Sequence, residues 1–348
     1  AMISTAITAS YSSSTAGAAL RRPATRRARP TRAARLQCAA SSEKARIAVL
    51  GASGYTGAEV MRLMHLHPSV EVVALTGESN AGKDFAEVFP HLGVSTEVKK
   101  LVKIADVDWS DIDAAFCCLP HATTQDVIAS LPTNIKVVDL SADFRLRDVE
   151  TYAKWYGGAH KAPELQEEAV YGLTEIFREQ IKGARLVANP GCYPTCAQLP
   201  LIPLIQKGML KTDDIIIDAK SGASGAGRAA KVGTLFTEVT EGIHAYGVAS
   251  HRHMPEIEQG LSDAAGSDVK VSFTPHLMPM SRGMMTTIYA KTADGVDGAQ
   301  CREALMEYYK DEKFVTVMPS GTPQTRHVRG SNFNVIGVSD DALTGRVI

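Results

Sequence analysis

The sequence predicts an α/β protein: a Rossmann-like, doubly wound parallel sheet in the N-terminal half and a second α+β domain with a mixed sheet. Three observations predict it. A short apolar run ends in a glycine-rich turn that opens a helix at 51–57. Further β-branched runs follow it at about a helix length from one another. From Gly191 onward the strand-like runs are separated by long polar or glycine-rich connections, which suits a mixed sheet.

Taken in order, "RIAVL" (46–50) reads as a strand and 58–66 as a helix with apolar residues at helical spacing. "VEVVALT" (70–76) completes a β-α-β unit, and 114–119 and 136–141 add strands, with "TTQDVIAS" as an intervening helix. A helix is expected to start near Thr195 and carry "CAQLPLIPLIQKGML", its prolines shortening or kinking it. Strands are expected at 213–221, 269–279 and 284–292. Domains are therefore placed at 43–190 and 191–348, after a leader over 1–42, and no internal repeat is visible.

The leader holds seven arginines and no acid, and is rich in Ala, Ser and Thr. That composition fits a removable organelle transit peptide, plastid more than mitochondrion; a basic arm for nucleic acid is the alternative. The rest of the chain carries an acidic excess. No apolar run reaches 18 residues, so no membrane span is expected. The cysteines, Cys38, Cys117, Cys118, Cys192, Cys196 and Cys301, have neither disulfide-scaffold density nor zinc-site spacing, so free thiols and no metal are expected.

In "GASGYTG" (51–57), Gly51, Gly54 and Gly57 allow backbone N–H groups to approach a pyrophosphate, while Ser53, Tyr55 and Thr56 line the turn. The spacing G-x-x-G-x-x-G departs from the usual dinucleotide pattern, and a ligand-free tight turn is the alternative. At the end of the second strand, after Thr76, Glu78 could accept from the ribose hydroxyls of NAD, whereas Ser79, Asn80 and Lys83 could hold a 2′-phosphate. Leu119 and Pro120 end a further strand on the same side.

"NPGCYPT" (189–195) sets Cys192 in a turn ahead of a helix, where a thiolate is stabilised and its pKa is expected to fall. The other cysteines lack that setting, and a Cys192–Cys196 pair does not match redox spacing. "HAYGVASHRHMPEIEQ" (244–259) supplies three histidines, an arginine and two glutamates. His251 and His253 are the candidates for acid/base work, with a slight preference for His251; Arg252 and Glu256 could orient a charged substrate or the imidazole. A surface cluster without function is the alternative. "SADFR" (141–145) and "SGASGAGR" (221–228) follow strand ends, where ligands gather. Arg145 could clamp a phosphate or form a structural ion pair.

The motifs "GASGYTGAE", "DLSADFR", "VANPGCYPT", "SGASGAGR", "HRHMPEI" and "PHLMPMSRGM" together closely resemble the N-acetyl-gamma-glutamyl-phosphate reductase family of arginine biosynthesis, over nearly all of 45–348. The resemblance implies an NADP-binding domain and a catalytic and oligomerisation domain, in a plastid enzyme of the chloroplast stroma. It implies a small-molecule substrate, N-acetyl-glutamyl 5-phosphate, and NADP(H) as cofactor, with no nucleic-acid or membrane partner and a homo-oligomer, dimer or tetramer. By the same resemblance Cys192 attacks the acyl phosphate to leave a thioester, and hydride transfer gives the semialdehyde. Arg145 would hold the phosphate, and Arg252 and Glu256 the carboxylate and acetamido end. Ser141, Arg228 and Arg282 would join the substrate site, and Ser224 and Gly225 the cofactor site.

Two departures and one expectation accompany it. Gly77-Glu78 stands where Ser-Arg is expected, which leaves NADP preference to Ser79, Asn80 and Lys83. Cys196 stands where a smaller residue is usual. Relatives are expected to continue past "TGRVI" with a glycine-rich segment and a helix, making a truncated form with impaired activity one alternative. An aspartate-semialdehyde-dehydrogenase-like enzyme is another, disfavoured by "HRHMPEI"; a nucleotide-binding protein without catalysis is the third.

Overall fold

The computed structural model describes residues 44–348 apart from 94–97 and 99. The leader expected over 1–42, with Cys38, lies outside the described residues.

Strand β1 (Ala45–Leu50) forms because four successive apolar side chains, Ile47 to Leu50, can all be buried between the two faces of a parallel sheet. Gly51 turns the chain with φ +77°, and α1 (Tyr55–Met64) starts three residues before the expected helix. It packs Ala58, Val60 and Met61 beneath β2 (Val70–Thr76), which matches the expected strand. Two single-turn helices, α2 (Phe85–Val88) and α3 (Pro90–Gly93), precede β3 (Leu101–Val102). Then come β4 (Ala114–Cys117), α4 (Thr124–Ser130) and β5 (Lys136–Asp139). A stretch not resolved from sequence adds α5 (Val149–Tyr156), α6 (Pro163–Glu168), β6 (Val170–Tyr171), α7 (Thr174–Gly183) and β7 (Leu186–Ala188).

These strands make one seven-stranded sheet in the order β3-β2-β1-β4-β5-β7-β6, with every pairing parallel. The direction of winding reverses between β1 and β4. A crevice therefore opens at their carboxyl ends, where Gly51 and Leu119 lie.

Helix α8 (Cys192–Gln206) begins at Cys192 itself, three residues before the expected start, and runs through Pro200 and Pro203. It is apolar nearly all round, and ten of its residues are buried. That burial offsets the two N–H groups its prolines cannot donate. Strand β8 (Ile215–Ser221), α9 (Phe236–Val239), β9 (His244–Ala245), α10 (Met254–Ala265), β10 (Val271–Leu277) and β11 (Met284–Lys291) follow. The chain continues through α11 (Gly298–Tyr308), β12 (Val315–Val317), β13 (Asn334–Ile336), β14 (Asp340–Asp341) and β15 (Arg346–Val347).

The second sheet, β14-β15-β11-β8-β10-β9, pairs β8 with β10 in parallel and with β11 antiparallel, which makes it mixed. Its core is built from α8 together with Ile257, Leu261, Cys301 and Leu305 of α10 and α11. Burial of these side chains, at about 25 cal/mol per Å² of apolar surface, fixes α8 as the post on which the site stands.

Candidate active site

Cys192 is the first residue of α8, with Gly191 as its N-cap and no side chain capping the helix. The first-turn N–H groups are thus left for the sulfur and its surroundings. The residue is exposed at the helix tip, while its sulfur is largely surrounded by protein atoms. The expectation that its pKa falls is corrected here. The protein packed around the sulfur raises the thiol above its ordinary value, and Glu256 pushes the same way; the N–H of Tyr193 and the charge of Arg145 pull it down without prevailing. Helix-terminus stabilisation is present but outweighed by desolvation. Even so, Cys192 stands apart from the other thiols: Cys118 and Cys196 are pushed up to about 12 and Cys301 to about 11, and Cys117 is buried and raised well above its ordinary value.

Behind Gly191 lies a buried ion pair. Glu256, 1% exposed, accepts the Gly191 N–H at 2.7 Å and the Tyr171 hydroxyl at 2.8 Å on the same oxygen, Oε1. Its Oε2 lies 3.5 Å from Nη1 of Arg145. Arg145 is almost as buried, and donates through Nε to the carbonyl of Asn189 at 2.8 Å and through Nη2 to that of Leu140 at 3.2 Å. Its guanidinium therefore ties strand ends together, as the structural alternative for this residue expects. Glu256 likewise braces the backbone one residue before the sulfur. Glycine is required at 191: a Cβ there would come within 2.6 Å of Nε2 of His253 and 3.0 Å of Oε2 of Glu256. Among the described residues, Oε2 of Glu256 and Nδ1 of His253 are buried without a hydrogen-bond partner.

The histidines approach from the N-terminus of α10. Nδ1 of His251 accepts the backbone N–H of His253 at 3.1 Å, so a neutral His251 carries its proton on Nε2. The two rings lie 4.8 Å apart, wedged against Tyr193, whose hydroxyl meets that of Tyr246 at 2.9 Å. Burial, with the Arg252 charge adding to it, lowers His251 to about 4. Burial, followed by Arg145, His251 and Arg252, holds His253 well below its ordinary value. Both rings are neutral at physiological pH, and burial makes each a weaker base than an exposed histidine. His253 is the one set against Gly191.

Arg252 crosses to the nucleotide half. Its Nη1 lies 2.9 Å from Nε2 of His121, and its guanidinium sits 5.2 Å from the centre of the Tyr156 ring. His121 follows Leu119 and Pro120 in the loop after β4. That loop is held by Asp143, which accepts from the N–H groups of Ala122 at 2.7 Å and Thr124 at 3.2 Å and from the Tyr152 hydroxyl at 2.8 Å. Ser141 is buried; it donates to Asp139 at 2.7 Å and accepts from the Asp143 N–H at 3.0 Å. Ser141 thus braces this loop. Asp143, Tyr171 and His121 escaped sequence reasoning, although "SADFR" marked the region of the first; Tyr171 carries no local signal.

On the nucleotide side the glycine-rich turn is built for a ligand. A Cβ on Gly51 would lie 2.5 Å from the carbonyl of Cys118, and one on Gly57 2.6 Å from Cα of Ala52, so both glycines permit close packing. Gly54 meets only the Gly51 carbonyl, at 3.6 Å, and caps α1 without a side chain, leaving the N–H groups around Tyr55 and Thr56 for an anion. Thr76 is buried, its hydroxyl accepting from the Gly51 N–H at 3.1 Å. Ser79, Asn80 and Lys83 form a hydrogen-bonded chain, with Lys83 Nζ 3.2 Å from Asn80 Oδ1. Ser224 and Gly225 lie in the turn Ala223–Ala226, where the Ser224 N–H bonds the carbonyl of Ser281 at 3.0 Å. Arg228 and Arg282, expected in the substrate site, reach this side: Arg228 donates to the carbonyl of Ser53 at 3.0 Å, and Arg282 pairs with Glu59 of α1 at 2.9 Å. Among the described residues no cluster of metal-ligating side chains occurs, and no helix is long and apolar enough to cross a membrane.

Comparisons with known proteins follow this division. Residues 46–184 match the family model described as semialdehyde dehydrogenase, NAD binding domain, and 192–348 that described as semialdehyde dehydrogenase, dimerisation domain. A crystal structure of aspartate semialdehyde dehydrogenase II from Vibrio cholerae superposes with a TM-score of 0.64 over 88% of this chain and 92% of that one. At 14% identity that likeness concerns the fold alone. A protein of Oryza sativa subsp. japonica, named probable N-acetyl-gamma-glutamyl-phosphate reductase, chloroplastic, is 56% identical over 88% of this chain and 74% of its own length. The N-acetyl-gamma-glutamyl-phosphate reductase of Rhodospirillum rubrum is 60% identical over 88% of this chain and 89% of its own. A cysteine exposed at a helix tip, neutral histidines beside it and a dinucleotide turn across the crevice agree with that identity, and the chain belongs to the N-acetyl-gamma-glutamyl-phosphate reductase family.

Proposed function

We propose that the chain catalyses the NADPH-dependent reduction of N-acetyl-glutamyl 5-phosphate to the 5-semialdehyde and phosphate, a step of arginine biosynthesis. The observation that carries it is the placement of Cys192: exposed at the tip of α8, its backbone braced by Glu256 and its surroundings shared with two neutral histidines.

The Cys192 thiol gives up its proton to a histidine, and the sulfur bonds to the acyl carbon as the carbon–oxygen bond to phosphate breaks, leaving a thioester. NADPH, when bound, supplies the hydride for the thioester carbon. The residues that would hold it are those of the 51–57 turn, with Ser79, Asn80 and Lys83 at the adenosine end. The imidazolium returns its proton to the developing alkoxide. Loss of that proton again and cleavage of the carbon–sulfur bond release the aldehyde and restore the sulfur. His253 is the proton carrier we favour, since its ring lies against Gly191, the residue before the sulfur. Arg252, held by His121 and Tyr156, keeps donors for the substrate's carboxylate.

Cys192→Ser is expected to abolish turnover while nucleotide binding, followed by fluorescence titration, survives. Retained reductase activity would exclude covalent catalysis. Saturating acyl phosphate should protect Cys192 from iodoacetamide in peptide mass spectrometry.

Assembly as a homo-oligomer through 192–348 is supported by the dimerisation model matched there. A plastid address is supported by the leader's arginine-rich, acid-free composition and by the chloroplastic designation of the rice protein.

A further inference from the structure

Recognition of a 2′-phosphate requires a cation at the carboxyl end of β2. Gly77 and Glu78, which follow that strand, supply none, and Lys83 is the one cation of the stretch 77–83. Glu78 is also turned away from the crevice: its Oε1 accepts the N–H of Ile104 at 2.9 Å and so caps the turn Ile104–Asp106. An acid that would repel a 2′-phosphate is therefore occupied elsewhere.

Another group stands at this place. A Cβ on Gly77 would lie 3.1 Å from Oγ of Ser53, so the end of β2 abuts the glycine-rich turn. On the carbonyl of Ser53 sits Arg228, contributed by the far half of the chain, with Nη1 donating at 3.0 Å. Its guanidinium carbon lies 4.7 Å from the centre of the Phe89 ring. Phe89 itself is fixed in the core cluster with Phe85, Leu75 and Leu101. Among the described residues Arg228 has no carboxylate partner, unlike Arg282 close by, which Glu59 neutralises. One of its five N–H donors is used on Ser53, and the others are free on an exposed, ring-supported cation.

We propose that Arg228, held on Ser53 and Phe89, is a specificity-determining cation for the 2′-phosphate of NADPH, acting together with Lys83. The inference rests on the assignment of the 51–57 turn as the dinucleotide site. A guanidinium offers a phosphate two parallel hydrogen bonds, and here the ring of Phe89 holds it ready. Because it comes from the second half of the chain, cofactor choice and the approach of the two halves are linked through one side chain.

The test is equilibrium binding, by isothermal titration, of adenosine 2′,5′-bisphosphate and of AMP to the wild type, Arg228→Met and Arg228→Lys, alongside NADPH and NADH. Removing a charge-assisted pair is expected to weaken the bisphosphate and NADPH about tenfold to a hundredfold in Arg228→Met, leaving AMP and NADH within about twofold. Arg228→Lys should recover part of the loss. Equal weakening of all four ligands would overturn the proposal in favour of a contact to the shared phosphates. No weakening of any would reduce Arg228 to packing on Phe89. Failure of the wild type to bind any of the four would instead refute the assignment of the dinucleotide site itself.

Discussion

Replacing Glu256 by Gln separates what the carboxylate does for the fold from what it does to the sulfur. The amide oxygen can still accept from the Gly191 N–H and the Tyr171 hydroxyl, the two contacts now made by Oε1. The NH₂ group then occupies the place of Oε2, 3.5 Å from the Arg145 guanidinium, donor against donor. Breaking a buried pair costs about 3–5 kcal/mol, and the lower end applies because the pair is long and Arg145 keeps its two carbonyl acceptors. A loss of about 3 kcal/mol lowers Tm by roughly 4–5 °C, at about 2.1 cal/mol/K of unfolding entropy per residue. The same substitution removes a negative charge that raises the Cys192 thiol, while Arg145 remains. The thiol pKa therefore moves down, and alkylation of Cys192 at pH 7 speeds up. Turnover should nonetheless fall, because relief of the donor–donor contact with Arg145 shifts the side chain that braces Gly191, and about 1 Å of misplacement of the nucleophile costs about a hundredfold. The assay is the pH dependence of iodoacetamide labelling of Cys192, read by peptide mass spectrometry, together with calorimetric melting. A labelling midpoint that stays put or moves to higher pH would refute the electrostatic reasoning, and an unchanged Tm would refute the claim that the pair is structural.

Two further outcomes follow from the same corner of the molecule. Gly191→Ala forces a methyl within 2.6 Å of His253 Nε2, and is expected to cost 2 kcal/mol or more, roughly, and to depress turnover; a wild-type urea midpoint would contradict the close approach. His251, lowered from 6.5 to about 4, binds a proton more readily unfolded than folded, so it contributes stability above pH 6.5 that is lost as pH falls from there through 4. The contribution is at most about 3 kcal/mol, and less because the ring is part-exposed. Between pH 7 and pH 4.5 the urea midpoint of the wild type should fall more than that of His251→Gln, and parallel falls would rule the linkage out.

The parts of this fold that were legible in the sequence are those whose physics is local. Strand 70–76 and the glycine turn could be read because alternating or continuous burial and a φ of +77° at Gly51 leave their mark on neighbouring residues. Cys192 was legible for the same reason, being framed by turn formers. The start of α8 was misplaced because its three prolines, Pro194 in the first turn among them, argue against a helix, and only burial on nearly every side, a tertiary effect, overrides them. The roles of Tyr171, Arg145 and Arg228 were illegible in principle. Tyr171 finds Glu256 across 85 residues and Arg228 finds Ser53 across 175, and no spacing rule reaches so far. The direction of the Cys192 shift was missed because a sequence shows the helix terminus and hides the packing that outweighs it.

Helix α8 has a consequence of its own. The reactive sulfur is mounted on the end of a rod embedded in the second core, whereas its prospective cofactor rests on a turn of the first sheet. Chemistry at Cys192 is thereby keyed to the firmness of an interior reaching to Leu204 and Ile205, some three turns away. Damage deep in that interior and damage at the nucleophile should be hard to tell apart by turnover alone, since the same rod transmits both.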